Sequence, residues 1–167
     1  TWASGGALNT GRNRPMSSAS GHTAALGFSG ADNPPTSYSV ATEKYDGTSW
    51  TEVNEMNTGR AGGVGTGNSQ DAALATGGYS GSYDAEVEQW NGTSWTEVND
   101  INTARGEIPG GGGTSTSSII AGGYAPPSKL TNAETWNGTS WTEVSEINTA
   151  RNGMAGAGAS NANAMVY

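Results

Sequence analysis

Short blocks of small and apolar residues recur along the chain and run into glycine: AALGFSG at 24–30, AALATGGY at 72–79 and SIIAGGY at 118–124. NAMVY at 163–167 opens in the same way. No 3.6-residue apolar period accompanies them, and short apolar blocks bounded by glycine predict β-strands. After each of the first three comes a segment containing EKY, VEQW or AETW, then Asp46-Gly47 or an Asn-Gly pair at 91–92 and 137–138, then SWTEV. Asp-Gly and Asn-Gly predict a tight hairpin in which both central residues take positive φ. Upstream of each apolar block lies a stretch rich in Gly, Ala and Ser. Each unit therefore predicts four short strands, lettered a to d: the small-residue stretch, the apolar block, the glutamate segment and SWTEV.

The register of these units is tight. Trp2, Trp50, Trp95 and Trp141 are 48, 45 and 46 residues apart, and each is followed ten residues later by Arg12, Arg60, Arg105 or Arg151. An apolar residue and Asn-Thr precede each arginine, as in Leu8-Asn9-Thr10 and Ile101-Asn102-Thr103. Glu43, Glu88 and Glu134 stand seven residues before the last three tryptophans, each with an aromatic residue two further on. Repeats of this length mark propellers and other repeat architectures. On this reading 1–11 is the outer strand d of a preceding unit, 12–59, 60–104 and 105–150 are complete units, and 151–167 holds the first two strands of another.

Composition agrees with an all-β chain of many turns. Glycine accounts for 27 of 167 residues, hydrophobic residues for 33% and charged ones for 13%, but six Trp and six Tyr stand at recurring places, unlike a disordered chain. The formal charge of −8 argues against nucleic acid and against an anionic membrane, and no apolar run is long enough to insert in one. Without cysteine there is no disulfide and no thiolate metal site. No cofactor or metal site is expected.

The apolar strand closed by Gly-Gly, then Glu-x-aromatic, a turn, Trp and a downstream arginine, here ALATGG, VEQWNGTSW and NTAR, resembles the kelch repeat of β-propellers. The first copy departs from the pattern, with Ser29-Gly30 in place of the glycine pair, and strand a is poor, as in GGGGTSTSS at 110–118. Phrases such as NGTSWTEVN are also similar to kelch-type repeats of marine phages and bacterial surface proteins. The resemblance implies an all-β propeller of four-stranded antiparallel blades, about three and a half of them in this chain. Kelch rings close with about five to seven blades, and a blade buries both faces only between neighbours. The chain is therefore expected to belong to a longer propeller, or to close with other copies of itself.

A residue needed once for chemistry would not recur in every copy. Trp2, Trp50, Trp95, Trp141, the repeat arginines and the pairs Gly77/Gly78 and Gly122/Gly123 are accordingly assigned to structure. Each tryptophan is expected to pack against the next blade, and arginine and glutamate to pair or to cap backbone. DGTSW at 46–50 has some likeness to a sialidase Asp-box, but it is one residue short and lacks the preceding serine. A copper site of the galactose oxidase type needs histidines and a cysteine, and His22 stands alone. Function is sought in the unrepeated b–c connections, where Tyr38, Tyr79, Tyr83, Asp84, Tyr124 and Lys129 are the candidate contacts; tyrosine among Ser, Gly and Asn suits adaptable recognition loops. The expected role is a non-enzymatic structural or binding module on a virion (tail-fibre-like) or cell surface, contacting glycan or protein during attachment. The competing expectation is part of a sialidase-like carbohydrate-active propeller whose catalytic residues lie outside this chain.

Overall fold

The computed structural model describes residues 5–32, 37–108, 110–153 and 156–166, among which there is no helix. Three four-stranded antiparallel sheets follow one another, each with its strands in chain order. The first holds β1 (Met16–Gly21), β2 (Ala24–Phe28), β3 (Thr42–Tyr45) and β4 (Trp50–Val53). The second holds β5 (Val64–Ser69), β6 (Ala72–Tyr79), β7 (Tyr83–Trp90) and β8 (Trp95–Val98). The third holds β9 (Gly111–Thr114), β10 (Ser117–Ala121), β13 (Ala133–Trp136) and β14 (Trp141–Val144), with a small hairpin, β11 (Tyr124–Ala125) and β12 (Ser128–Lys129), inserted between its middle strands. A two-stranded sheet, β15 (Gly156–Ser160) and β16 (Asn163–Val166), ends the series. The first strands β1, β5, β9 and β15 pack side by side in that order. No closed ring of sheets occurs among the described residues. Trp2 lies outside the described residues, and residues 5–11 are not in a strand.

The poverty of strand a has a physical cause. These strands approach closely between sheets, so a Cβ on Gly65 would lie 2.2 Å from the Ser17 carbonyl oxygen and one on Gly111 2.5 Å from the Thr66 side-chain methyl, Cγ2. At those two positions only glycine fits. Hydroxyls replace apolar packing at this seam: Ser18 donates to the Ser69 carbonyl at 2.8 Å, and the Thr66 and Ser118 hydroxyls share a hydrogen bond at 3.0 Å.

Apolar side chains gather between the sheets in two clusters. Met16, Leu26 and Phe28 of the first sheet meet Ala73, Ala75, Trp90 and Trp95 of the second. Val64, Leu74 and Val87 of the second meet Ile120, Trp136 and Trp141 of the third. Alternation along β6 supplies both faces, with Ala73 and Ala75 turned one way and Leu74 the other. Trp95 and Trp141 therefore pack back on the preceding sheet, not forward on the next as the sequence reading expected. The ring of Trp95 lies 4.8 Å from Phe28, and its Nε1–H donates to Thr42 Oγ1 at 2.9 Å. In the next copy Val87 replaces that threonine, and the buried Trp141 Nε1 has no acceptor.

The c–d turn also corrects an expectation. Tyr45 faces Trp50 in the register, as Trp90 faces Trp95 and Trp136 faces Trp141, so four residues span each turn. Only the glycines, Gly47, Gly92 and Gly138, have positive φ, at +96°, +96° and +94°. The preceding side chain does the rest: Asp46 Oδ1 accepts from the Thr48 and Ser49 N–H groups, and Asn91 and Asn137 repeat this arrangement at 2.9 Å. Asp and Asn mimic a backbone turn in this way. These hydrogen bonds, from Ser49 and then Thr48, hold the exposed Asp46 carboxyl below the ordinary aspartate range.

Each four-stranded sheet is tied to the linker before it by a buried charged latch. Arg60 Nη1 meets Glu88 Oε1 at 2.9 Å, while the backbone N–H and side-chain amide of Asn57 both donate to Glu88 Oε2 at 2.8 Å. Arg12 and Asn9 hold Glu43 in the same manner, and Arg105 and Asn102 hold Glu134. Arg60 also donates to the Gly77 and Ala75 carbonyls, at 3.0 and 3.1 Å, and is fully buried. Burial pulls the Arg12 and Arg105 guanidinium groups below their usual range, opposed by the charges of Glu43 and Glu134.

Two outcomes test this packing by chemical denaturation. Arg60→Ala leaves Glu88 buried and unpaired and is expected to cost about 3–5 kcal/mol, against about 0–1 kcal/mol for Lys44→Ala, which breaks the more exposed pair with Asp71. Val87→Thr copies the Thr42 arrangement, gives the Trp141 indole an acceptor and is expected to stabilise by about 1 kcal/mol.

Candidate functional site

The glycine pair ends strand b with two residues at positive φ: +58° and +121° at Gly77 and Gly78, +72° and +106° at Gly122 and Gly123. Ser29 adopts +58° at the corresponding place in the first copy, where its hydroxyl accepts from the Arg60 N–H at 3.0 Å. Backbone pairing follows directly. Gly30, Gly78 and Gly123 donate to the carbonyls of Arg60, Arg105 and Arg151 at 3.0, 2.9 and 2.8 Å. Each strand b is thus pinned to the linker leading into the next sheet. The residues just beyond the glycine pair then arrive at one rim.

Four of the sequence-predicted residues meet there. Tyr38 lies 5.9 Å from Tyr79, Tyr79 lies 5.2 Å from Tyr83, and Tyr83 lies 5.5 Å from Tyr124, measured between ring centroids. Interplanar angles of 72°, 67° and 67° make every contact edge-to-face, the favoured arrangement of aromatic quadrupoles. The ladder crosses all three sheets. Bridges between Ala31 and Tyr38, Ala61 and Tyr79, and Gly106 and Tyr124 hold three of its rungs, and pairing across the β6–β7 hairpin sets Tyr83 against Tyr79. The rings are half-buried, and none of the four hydroxyls has a hydrogen-bond partner among the described residues. Burial, then the charge of Glu107, raises the Tyr83 phenol above the usual tyrosine range, so it stays a protonated donor.

Lys129 stands beside the ladder, exposed and opposite Tyr124 in the β11–β12 hairpin. Asp84 is different in kind. It faces Gly78 inside the sheet, its carbonyl accepts from the Arg105 N–H at 3.1 Å, and its buried Oδ2 has no partner.

Two residues that the sequence reading passed over complete the rim. The position two residues after each repeat arginine is Arg14, Gly62, Glu107 and Gly153 in turn, with φ of +52°, +67°, +49° and +63°. A hydrogen-bonded chain links them, from the Gly62 N–H to the Arg14 carbonyl, from Glu107 to Gly62 and from Gly153 to Glu107, at 3.3, 2.6 and 2.8 Å. This backbone position suits glycine, and the L-residue penalty there is about 1–2 kcal/mol. Arg14 and Glu107 nevertheless occupy two of the four places and face each other at 3.5 Å, their side chains 50% and 33% exposed. They line a cavity of about 260 Å³ with Gly62 and Gly153. Arg14 also borders a second cavity, of about 390 Å³, whose walls include Asn13, Tyr38 and Tyr79. The legible signal was a charged residue at a place where other copies carry glycine.

Among the described residues no group of three His, Asp or Glu side chains is placed to hold a metal ion. Strained backbone kept at a cavity mouth points to a use for these side chains other than folding. If so, the double variant Arg14→Gly/Glu107→Gly is expected to melt no lower than the parent, because relief of two left-handed L-residues offsets a half-exposed ion pair of about 0–1 kcal/mol. A clear fall in melting temperature would instead make the pair a structural clasp. No family model matches this chain, and no curated protein matches it.

Proposed function

We propose that this chain is a non-enzymatic, kelch-like propeller module that binds a protein or glycan partner across the tyrosine ladder, as an attachment component of a virion or cell surface. One observation carries the reading: four tyrosines from the b–c segments of three successive sheets, Tyr79 and Tyr124 at the same place after the glycine pair and Tyr38 and Tyr83 unrepeated, stand in edge-to-face contact beside a cavity lined by Tyr38 and Tyr79. Rings with an apolar body and a free hydroxyl give contact area and hydrogen bonding at low entropic cost. Arg14 and Lys129 add exposed positive charges at the same rim, and the half-buried Glu107 a negative one. The Tyr83 phenol, held protonated by burial and by Glu107, suits hydrogen-bond donation better than nucleophilic attack.

A glycan array and a host-surface binding assay, each with turnover monitored, test this. Tyr79→Ala and Tyr83→Ala are expected to weaken binding by about tenfold to a hundredfold with the melting temperature little changed. Hydrolysis of any bound glycan would overturn the non-enzymatic reading.

A further inference from the structure

The cavity of about 390 Å³ lies between the first two sheets, each of which has all four strands. Asn13, Arg14, Ala31 and Tyr38 line it on one side, Ala61 and Tyr79 on the other. That volume falls within the range of small-molecule sites, about 300–1,000 Å³. Its charge sets it apart from the rest of the chain. The formal charge of the whole is −8, yet Arg14 carries the single charge among those six side chains. Asp32, close by in the chain, accepts instead from the Ser37 hydroxyl, and Glu107 borders the other cavity. The Arg14 guanidinium is held in place. A Cβ on Gly62 would lie 2.4 Å from Arg14 Nη2, so the guanidinium fills room that only glycine leaves. Arg60 and Arg105 spend their N–H groups on carbonyls and glutamate. Arg14 touches Glu107 through Nη2 alone, at 3.5 Å, and among the described residues no hydrogen bond engages its Nε or Nη1.

We propose that this cavity is a subsite for a carboxylated sugar residue of a glycan. Arg14 offers its planar fork to the carboxylate, the pairing for which guanidinium geometry is suited. The other walls supply what the rest of such a ring needs. Asn13 Nδ2 donates to the Asp32 carbonyl at 3.2 Å, which fixes the amide and leaves its Oδ1 to accept from a sugar hydroxyl. The Tyr38 and Tyr79 hydroxyls donate or accept, and their rings, 5.9 Å apart, give the cavity an apolar wall for a C–H face. A bare carboxylate or phosphate brings no donor for the Asn13 oxygen, and a neutral sugar leaves the guanidinium unanswered. The left-handed backbone of Arg14, at φ +52° where Gly62 has +67°, is then the cost of placing one cation at this wall. The inference deepens the reading of the tyrosine rim as a binding surface and rests on it.

The test titrates the full chain calorimetrically with sialyllactose and with a hyaluronan tetrasaccharide, each beside its carboxyl-reduced counterpart. The two acids separate a sialate from a uronate as the source of the carboxylate. Binding of at least one acid is expected, weakened about tenfold or more by reduction of its carboxyl group. Arg14→Gly installs the residue that Gly62 and Gly153 use at the same place and is expected to weaken the acid equally, with no further loss on reduction. Asn13→Ala is expected to weaken acid and reduced sugar alike. The change made on the sugar leaves the protein untouched, so the result does not hang on a variant's folding. Equal binding of acid and reduced forms, lost in Tyr79→Ala, overturns the carboxylate subsite and leaves the ladder reading standing. Full acid binding by Arg14→Gly overturns it too, as does failure of the parent chain to bind any of these sugars. In that last case a protein partner lost in Tyr79→Ala would still uphold the ladder.

Discussion

A buried carboxylate holds this protein together. Glu43, Glu88 and Glu134 are fully or almost fully out of water, and each is met on one oxygen by arginine and on the other by two N–H groups of an asparagine. A charge in that position is tolerated only if every partner is in place, which makes the contact selective for geometry more than generous in energy. The partners lie some thirty residues before the glutamate, on the linker that leaves the preceding sheet. The latch therefore sets how a linker enters a sheet, and with it where the sheet stands relative to its neighbour. In a chain with so few aliphatic side chains, that precision supplements what apolar burial provides.

The remaining features fall into place around this contact. With the linker held, the arginine carbonyl faces the end of the preceding strand b, and the left-handed residue pair there turns its N–H toward it. The first strands are drawn together until no Cβ fits at positions such as Gly65 and Gly111. Aromatic rings from strands c and d then close the outer part of each interface by leaning back on the preceding sheet. Repetition makes each of these contacts available to every copy. The same repetition is why an exception carries information: Ser29, Arg14 and Glu107 each stand where another copy uses glycine. Ser29 recovers the conformational cost through hydrogen bonds to the next linker, whereas Arg14 and Glu107 pair with each other at a cavity mouth, where Glu107 also accepts from the Asn152 side-chain amide.

Much of this was legible in the residues. Strand existence and strand order within a unit followed from spacing, because glycine, tryptophan and arginine recur at fixed offsets and the short apolar blocks carry no helical period. The tyrosines were found in the b–c connections, whose length and wording vary among the copies, although Tyr79 and Tyr124 themselves recur directly after the glycine pair. Other details were not legible for identifiable reasons. The conformation of the c–d turn was misjudged because an Asx side chain replaces a second positive φ, a local competition that the dipeptide alone does not reveal. The direction of tryptophan packing was misjudged because a strand's two faces are equivalent until a neighbouring sheet is in place.

The sequence by itself determined the all-β units, their four strands and the residues that recur to build them, since these depend on local conformational preference and on period. Only the tertiary structure decided which sheet each tryptophan covers, which glutamate each arginine meets, and that four scattered tyrosines form one ladder beside Arg14 and Glu107. Those outcomes depend on contacts between segments thirty or more residues apart. Such contacts are set by the angle at which one sheet is laid on the next, and no local stretch of residues encodes it.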